Sequence, residues 1–312
     1  GTRHAYHLTY SPPLHPNTPA GIDRLLRDEW LPAVTDRIRE QHGWEYYYYG
    51  NASPNRPGWY TFDHRPRFNN NYIGLRNRIA ILSEAYAYDT FEDRVRATLW
   101  FVEEILHFAQ ANAGRIRTVV EAADAEPLPG TALATRATFE QSDEEVTILM
   151  GEVDAERHPQ TGEVILRRRE LSIPVSMHEY GTFRPTETET VPRTYYVLPE
   201  AEDAIVRLHA HGVRIEPAPT DRALAVERFV IDSTSVADRP FQGRNERTLF
   251  GRWQATTETL PDGTVAVSMD QPLARLAFSL LEPRSDDGFA DWAIFDESVE
   301  AGTYPVLRAP SN

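Results

Sequence analysis

The chain has 312 residues, with 32 Lys and Arg against 47 Asp and Glu, so its formal net charge at pH 7 is −15. This length allows two domains with a sizeable apolar core, and the acidic balance argues against nucleic acid and anionic membrane surfaces as partners, because both require a basic footprint. The chain has no cysteine, which excludes disulfides, thiolate zinc sites and a cysteine nucleophile, and no segment approaches the roughly 18 apolar residues that span a bilayer.

The first 43 residues predict a short strand and then a long helix. The chain begins with Gly1 and Thr2, without an initiator methionine or a signal peptide, so we expect a processed protein or a fragment. Residues 6–10 form a strand-like run before a proline-rich turn. Apolar residues then recur at helical spacing, with a break or kink expected at Pro32 and a C-cap at Gly43. The apolar positions are Ile22, Leu25, Leu26, Trp30, Val34 and Ile38.

Residues 46–75 are rich in tyrosine, asparagine and proline and show little periodicity. A loop of this length inside a compact domain is usually functional or disordered, and its aromatic content speaks against disorder. The apolar run at residues 79–88 then predicts a buried strand that carries Glu84 near its end. A carboxylate that leaves a buried strand is poorly solvated, which raises its affinity for a proton towards the range of a general base. The alternative is a structural glutamate held by Arg76 or Arg78.

Thr90, followed three residues later by Asp93, resembles a capping box and predicts the start of a helix. One apolar face runs along this helix, at Val95, Leu99, Val102, Leu106 and Ala109. The order up to residue 123 is therefore strand, helix, long loop, strand and helix, which is typical of an α/β domain with a largely parallel sheet.

The composition changes after a proline-rich linker at residues 125–130. Alternating apolar runs and turn signals follow, with a hairpin turn at residues 159–162 and one short helix around residues 200–211. We therefore predict two domains. Residues 1–124 form an α/β part with a partial mixed, largely parallel sheet and flanking helices, and residues 125–312 form a β-rich, sandwich-like accessory domain.

Metal, nucleotide and serine chemistry have weak signals in this sequence. The histidine pairings with ligand-like spacing lack a third ligand; they are His4 with His7, His209 with His211, and His42 with Glu45. The chain has no Gly-x-Ser-x-Gly elbow and no glycine-rich phosphate loop, which argues against a serine hydrolase and the simplest nucleotide sites. Four arginines flank the long loop and the following strand, where they either hold a substrate carboxylate or neutralise neighbouring acids; they are Arg65, Arg67, Arg76 and Arg78.

Three segments carry a resemblance to one known family, the zinc carboxypeptidases or carboxypeptidase A-like metallopeptidases. Residues 62–78, FDHRPRFNNNYIGLRNR, running into residues 82–86, LSEAY, resemble the late catalytic segment of that family. The opening residues 1–13, GTRHAYHLTYSPP, resemble the stretch after the family's third zinc ligand. The resemblance covers residues 1–120 as the latter half of a catalytic domain, and residues 271–276 and 280–289 are similar to the accessory region of some bacterial members.

The resemblance implies a metallocarboxypeptidase that removes C-terminal residues from peptides. Glu84 matches the family's general base, which takes a proton from the attacking water and passes it to the leaving amine. Tyr60 is the closest match by spacing for the tyrosine that closes over the substrate, and Tyr72 is the second choice. Arg76 and Arg78 are further substrate contacts.

The resemblance also implies that the zinc ligands, a His-x-x-Glu pair and a later histidine in an Asp-x-His segment, lie upstream of this chain. We therefore expect zinc as the cofactor of the full-length parent, with no metal ligand, no bound zinc and no peptidase activity in this chain alone. A peptide substrate is the expected partner, whereas nucleic acid and membrane are not. Secretion or a periplasmic location is expected by family analogy. The oligomeric state is left open.

Two alternatives to this function remain open. An amide hydrolase on the same fold would use similar residues to deacylate amino acids or to trim cell-wall peptides. A non-catalytic protein would instead bind peptide or glycan through the aromatic loop at residues 44–72 and the β-rich region. A His-x-x-Glu and a later Asp-x-His in the reading frame upstream of Gly1 would support the enzyme, and their absence would support the binding protein.

Overall fold

The structure is a computed structural model, and it describes residues 2–311. Helices and short strands alternate up to residue 124. The strands are β1 (Leu8–Ser11), β2 (Tyr46–Tyr48), β3 (Asn51–Ser53), β4 (Arg56–Tyr60) and β5 (Leu82–Ala85). The α-helices are α1 (Ala20–Arg24), α2 (Leu31–His42), α3 (Asn69–Leu75), α4 (Phe91–Ala111) and α5 (Ala113–Asp124), with a π-helical segment, Leu25–Trp30, between α1 and α2. The region predicted as one long loop thus contains three strands and a helix.

The apolar spacing of residues 22–38 builds the core that packs against the first sheet. All six predicted positions are buried, and they pack with Leu8 of β1 and Phe101 of α4. Gly43 ends α2 with a φ of 69°, the left-handed conformation that favours glycine, as predicted. At the break or kink predicted at Pro32, the helical geometry changes from the π-helical segment, which ends at Trp30, to α2, whose first turn contains Pro32.

β1 is the central strand of a three-stranded mixed sheet with the order β2-β1-β5. It pairs in parallel with β2 and antiparallel with β5, so the sheet is mixed as predicted, but a largely parallel layout is not confirmed. Within residues 2–311 β5 pairs with no strand other than β1 and is therefore an edge strand. The burial predicted for residues 79–88 is wrong, since Ser83 and Glu84 are exposed and β1 is the one strand in the described chain that pairs with β5.

Helix α4 presents apolar residues on two sides. Its N-terminus is capped as predicted, since the Thr90 hydroxyl accepts a hydrogen bond from the Asp93 N–H at 3.1 Å. Ala97 and Phe101 are fully buried in the core on one side. The predicted apolar face lies on the other side and is largely exposed. Its member Ala109 packs against the core, and its other four members are exposed. With the exposed Phe91, these four form what we call the α4 stripe: Phe91, Val95, Leu99, Val102 and Leu106, with exposures of 80, 49, 51, 43 and 60%.

The chain after residue 125 is β-rich, as predicted. Its strands are β6 (Ala132–Glu140), β7 (Glu145–Met150), β8 (Val153–Arg157), β9 (Val164–Arg168), β10 (Ile173–Tyr180), β11 (Thr182–Thr190), β12 (Thr194–Val197), β13 (Glu216–Pro217), β14 (Ala223–Val236), β15 (Arg247–Thr259), β16 (Val265–Ser268) and β17 (Val306–Ala309). A 3₁₀ turn, Pro199–Ala201, precedes the helices α6 (Glu202–Ala210), α7 (Ala274–Leu281) and α8 (Asp296–Glu300). The predicted short helix corresponds to α6, and the predicted turn at residues 159–162 joins β8 to β9. Across the described residues, no helix combines the length and apolar character that a membrane crossing requires.

The largest apolar core joins a six-stranded antiparallel sheet to α6 and α7. The strand order is β13-β16-β12-β17-β14-β15. Every residue of α7 is buried, and the helix packs with Tyr195, Phe229 and Val267 from the sheet. A sandwich would pack two sheets face to face. The β-rich region is therefore confirmed, whereas this core is built from a sheet and helices rather than from the predicted sandwich.

Several contacts cross the predicted boundary between residues 124 and 125. β4 pairs in parallel with β10, with Trp59 opposite Glu179, and the order of that sheet is β3-β4-β10-β7. Asn77 Nδ2 donates to the carbonyl oxygens of Ala123 at 3.1 Å and of Pro272 at 2.8 Å. The division into two domains stays a prediction, and these contacts join the two regions on either side of it.

Candidate active site

Glu84 lies on the face of the first sheet that points away from the helical core. Residues directly opposite each other on neighbouring strands share a face, so Glu84, Thr9 and Tyr47 form one row across β5, β1 and β2. Their Cα atoms are about 5 Å apart from strand to strand. Leu8 and Tyr10, the neighbours of Thr9 along β1, point to the opposite face and enter the core.

The Glu84 carboxylate is exposed and has no protein partner. Within residues 2–311 it forms no ion pair and no side-chain hydrogen bond. The arginines that a structural role would require are engaged elsewhere: Arg78 pairs with Asp124 at 2.8 Å, and Arg76 donates to the His211 carbonyl at 2.6 Å. The burial from which a raised proton affinity was expected is not found. Glu84 is nevertheless available to a molecule bound on this face.

Another carboxyl group, missed in the sequence analysis, lies at the far end of this row. Burial raises the pKa of Glu179, against the opposing effects of Arg27 and of a hydrogen bond from the Tyr47 hydroxyl. Tyr47 is itself held by stacking on Tyr6, with ring centroids 5.1 Å apart. No local motif marks Glu179, because the pairing of β4 with β10 brings it here. A partly buried carboxyl group with a raised pKa is a candidate acid–base group.

Tyr60, the first choice for the tyrosine that closes over the substrate, lies at the end of β4. Its ring stacks on Tyr180 with centroids 4.0 Å apart, and the Arg56 guanidinium lies 3.5 Å from its ring centroid. Phe139 contacts the ring edge-on at 5.5 Å. These contacts fix Tyr60 in its sheet, so movement over a substrate requires breaking them. Its role in substrate binding stays a prediction.

Tyr72, the second choice, and Arg76 meet His211 just after α6. The Tyr72 hydroxyl lies 2.8 Å from His211 Nδ1, and Arg76 Nη1 donates to the Tyr72 hydroxyl oxygen at 2.9 Å. Burial lowers the pKa of His211, and Arg76 and Arg207 lower it further. Because Arg76 donates to the Tyr72 hydroxyl oxygen, the hydroxyl hydrogen can point to His211 Nδ1, which accepts it in the tautomer that carries its proton on Nε2. The structure thus brings Tyr72 and Arg76 together, but neither bonds to Glu84 among the described residues.

The other arginines of the loop and strand are paired with acids. Arg65 and Arg67 both bind Glu246, at 2.9 and 2.6 Å, and Arg67 also binds Asp287 at 2.6 Å. Together with the pairing of Arg78, these contacts fit the interpretation that the arginines neutralise neighbouring acids. Among the four, Arg76 is the one whose described contacts are a hydroxyl and a carbonyl oxygen rather than a carboxylate.

The residues of this chain do not fit a zinc site. Within residues 2–311, no three His, Asp or Glu side chains converge as metal coordination requires. His42 stacks on Trp100 with ring centroids 3.7 Å apart, and Glu45 binds Arg39 at 3.0 Å. The pairing of His42 and Glu45 therefore serves packing and a surface ion pair.

A buried histidine beside this region, His15, makes stability depend on pH. It lies in the proline-rich turn after β1, where Nδ1 accepts a hydrogen bond from the Asn17 N–H at 3.1 Å, and its ring centroid lies 5.9 Å from that of His64. Burial lowers the pKa of His15 to about 3, and His64 acts in the same direction. His15 therefore stays neutral in the folded chain at pH values where the unfolded chain protonates it.

We expect His15→Asn to reduce the loss of stability on acidification. Below its ordinary pKa of 6.5 the unfolded state binds a proton at His15 that the folded state does not. The free energy of unfolding therefore falls by on the order of 3 kcal/mol as the pH drops from 6.5 to about 4. Asparagine keeps an acceptor for Asn17 without a titrating group. Urea unfolding at both pH values measures the effect, with the exposed His209→Asn as control, and an unchanged pH dependence in the His15 variant would contradict it.

Comparison with known proteins indicates a carboxypeptidase-like relationship over part of the chain. Carboxypeptidase 2 of Trichophyton rubrum is 29% identical over 133 residues, which is 42% of this chain and 24% of that protein. Carboxypeptidase 2 of Trichophyton tonsurans is 28% identical over 133 residues, with the same coverage of 42% and 24%. The probable carboxypeptidase 2 of Arthroderma benhamiae is 29% identical over 112 residues, which is 35% of this chain and 21% of that protein.

The chain thus spans less than a quarter of the length of these fungal relatives. No protein-family model matches it, and no solved structure matches it. The relatives therefore support a class, peptidases of the carboxypeptidase kind, at a distance and over part of the sequence.

Proposed function

We propose that this chain is the latter half of the catalytic domain of a zinc-dependent metallocarboxypeptidase, followed by an accessory region, and that Glu84 is its general base. The observation that carries the proposal is the exposed Glu84 carboxylate, which has no partner within residues 2–311 and lies beside the buried Thr9, on the edge strand of the first sheet. The relatives named carboxypeptidase 2 support the same class of reaction. The full-length parent protein hydrolyses the C-terminal peptide bond of a peptide substrate.

Two surfaces support the association of this chain with a further part of a catalytic domain. Within residues 2–311 no strand covers the outer edge of β5, which carries Glu84. The α4 stripe lies on the helix that follows β5 and contacts it. Unpaired strand edges and clustered exposed apolar side chains are liabilities in water that proteins normally cover. An added strand beside β5, with apolar residues against α4, would cover both and would place Glu84 inside a larger sheet.

The role proposed for Glu84 is the transfer of one proton. As water adds to the carbonyl carbon of the scissile bond, Glu84 accepts a proton from it. As the C–N bond breaks, Glu84 returns that proton to the leaving amine, so the carboxylate is regenerated. Its lack of protein partners suits this cycle, because no ion pair within the described residues competes for either oxygen.

In this proposal, residues of the full-length parent protein that lie outside this chain bind the zinc ion. We expect the chain alone to bind no stoichiometric zinc, because tight coordination requires three or four converging ligands. Equilibrium dialysis followed by metal analysis measures the binding, and a longer polypeptide that carries the His-x-x-Glu and Asp-x-His motifs is the positive control. One tightly bound ion per isolated chain would contradict this expectation.

Release of C-terminal residues from peptides by that longer polypeptide tests the proposed reaction. Release of a free amino acid from the C-terminus supports the carboxypeptidase, whereas faster cleavage of N-acyl amino acids would indicate the amide hydrolase. An upstream reading frame without the ligand motifs, combined with peptide binding without turnover, would overturn both enzymes in favour of a binding protein.

A further inference from the structure

A cavity of about 370 Å³ lies where α3, α6 and α7 meet the segment of residues 287–294. Leu276 and Leu280 of α7 form apolar walls, and Tyr72 and Trp292 add aromatic ones. Its volume lies in the range of small-molecule sites, which are mostly apolar with a few placed polar groups. Among the residues predicted for the peptidase site, Tyr72 lines this cavity and Glu84 does not.

Two arginines at the rim of the cavity have no acidic partner. Arg207 and Arg244 line it and are exposed, and within residues 2–311 neither forms an ion pair with Asp or Glu. Arg244 Nη1 donates to the Trp292 carbonyl at 2.9 Å, which holds its guanidinium beside the cavity wall. The chain has 47 acidic residues for 32 basic ones, so a shortage of acids does not explain why these two lining arginines lack an acidic partner within residues 2–311.

Among the residues that line the cavity, Asp287 is the one carboxylate, and it already has hydrogen-bonding partners within the protein. Asp287 binds Arg67 at 2.6 Å and accepts a hydrogen bond from the Trp292 indole N–H at 2.7 Å. The Arg67 side chain is 8% exposed and also binds Glu246, so its charge is already paired with carboxylates of the protein. The charge that the cavity offers to a ligand is therefore positive and comes from the two rim arginines.

We propose that this cavity binds a small molecule with one carboxylate and an apolar body of about the size of an aromatic ring. The body displaces water from the apolar walls formed by Leu276 and Leu280. The carboxylate accepts hydrogen bonds from Arg207 and Arg244, because a guanidinium donates in the planar geometry that a carboxylate matches. The proposal goes beyond the peptidase reaction and does not depend on the role of Glu84, since Glu84, Thr9 and Tyr47 do not line the cavity.

Three small molecules test separately whether the apolar body and the carboxylate of the ligand contribute to binding. Isothermal titration calorimetry of the chain compares 3-phenylpropionate, which has both the body and the charge, with 3-phenylpropan-1-ol, which lacks the charge, and with acetate, which lacks the body. We expect 3-phenylpropionate to bind at least about tenfold more tightly than either of the others, because charge-assisted hydrogen bonds and apolar burial each contribute at least that factor.

The double variant Arg207→Gln with Arg244→Gln should weaken the binding of 3-phenylpropionate by about tenfold or more. Arg117→Gln is the matched control, because Arg117 is also exposed on a helix, α5, and lies outside the cavity. The substituted side chains are exposed, so the thermal midpoint of each variant should lie within about 2 °C of the wild type. If the double variant fails this check, the two single variants are used, each with an expected loss of about threefold.

Three results would overturn the proposal. They are no saturable binding of 3-phenylpropionate to the folded wild-type chain, equal affinity for the alcohol, and undiminished affinity in the folded rim variants. The first would remove the site, the second would remove the role of the charge, and the third would place any binding elsewhere on the molecule.

Discussion

In the longer polypeptide that carries the zinc-ligand segment, Glu84→Gln is expected to lower kcat for the release of a C-terminal residue by about 10²–10⁴-fold, with KM changed by less than about threefold. Glutamine has nearly the same shape as glutamate but does not accept a proton from water near neutral pH. The variant therefore loses proton transfer and keeps the contacts that bind substrate. Initial rates over a range of peptide concentrations give kcat and KM separately.

The matched control for this variant is Glu121→Gln. Glu121 is also exposed, lies on α5 in the same half of the chain, and loses the same single charge on substitution. Both variants should unfold within about 0.5 kcal/mol of the wild type, because neither side chain is buried. An unchanged kcat in the Glu84 variant would remove Glu84 from the reaction. An equal loss in both variants would indicate an effect of net charge or folding instead of proton transfer.

Substitutions in the α4 stripe are also expected to have a large effect. They should leave the stability of the isolated chain unchanged and lower the stability of the longer polypeptide. Leu99→Glu combined with Leu106→Lys should reduce self-association of the isolated chain and leave its thermal midpoint within about 2 °C of the wild type, because both leucines are exposed there. In the longer polypeptide the same pair should lower the free energy of unfolding by at least about 3 kcal/mol. There each leucine loses about 1.5–3 kcal/mol of apolar burial, and each new charge is desolvated.

Sedimentation velocity and urea unfolding measure these two effects. Glu103→Lys, at an exposed polar position of α4 outside the stripe, is the control and should change neither property by more than about 0.5 kcal/mol. If the stripe variant is equally stable in both polypeptides, the stripe is not covered by a further part of the domain. The support that it lends to the proposed function would then be lost.

Features decided by neighbouring residues could be predicted from this sequence. The apolar positions between residues 22 and 38 repeat with the helical period, and all six are buried. Gly43 and Thr90 occupy the helix ends that their chemistry suits, one by adopting a positive φ and the other by accepting a backbone hydrogen bond. In each case the period of the backbone or its unpaired end groups determines the result.

Features that depend on distant partners could not be predicted. Residues 79–88 are apolar enough for a buried strand, but the burial of a strand depends on what lies at both of its edges, and β5 pairs with β1 alone in the described chain. The sequence analysis did not predict helix α7. All of its 8 residues are buried, including the polar Arg275 and Ser279, so it lacks the solvent-facing side by which an amphipathic helix is normally identified.

The candidate site likewise contains one residue that could be identified from the sequence and one that could not. Glu84 was identified from its place in a strand and from a resemblance, and the structure leaves its carboxylate accessible. Glu179 was missed because nothing in residues near it distinguishes it from other strand residues. Its raised pKa arises from burial beside Tyr47, which requires the sheet that β4 and β10 form together.

The pairing of β4 with β10 also determines when this protein can finish folding during its synthesis. Trp59 of β4 is fully buried, in a cluster with Tyr6 and Ile148, and its strand is completed by one that follows much later in the chain. At ribosomal rates of about 5–20 residues per second, the interval between the two strands takes on the order of ten seconds. Throughout that time the nascent chain holds an unpaired, tryptophan-bearing hairpin, and the first half reaches its final structure only after residue 180 has left the ribosome.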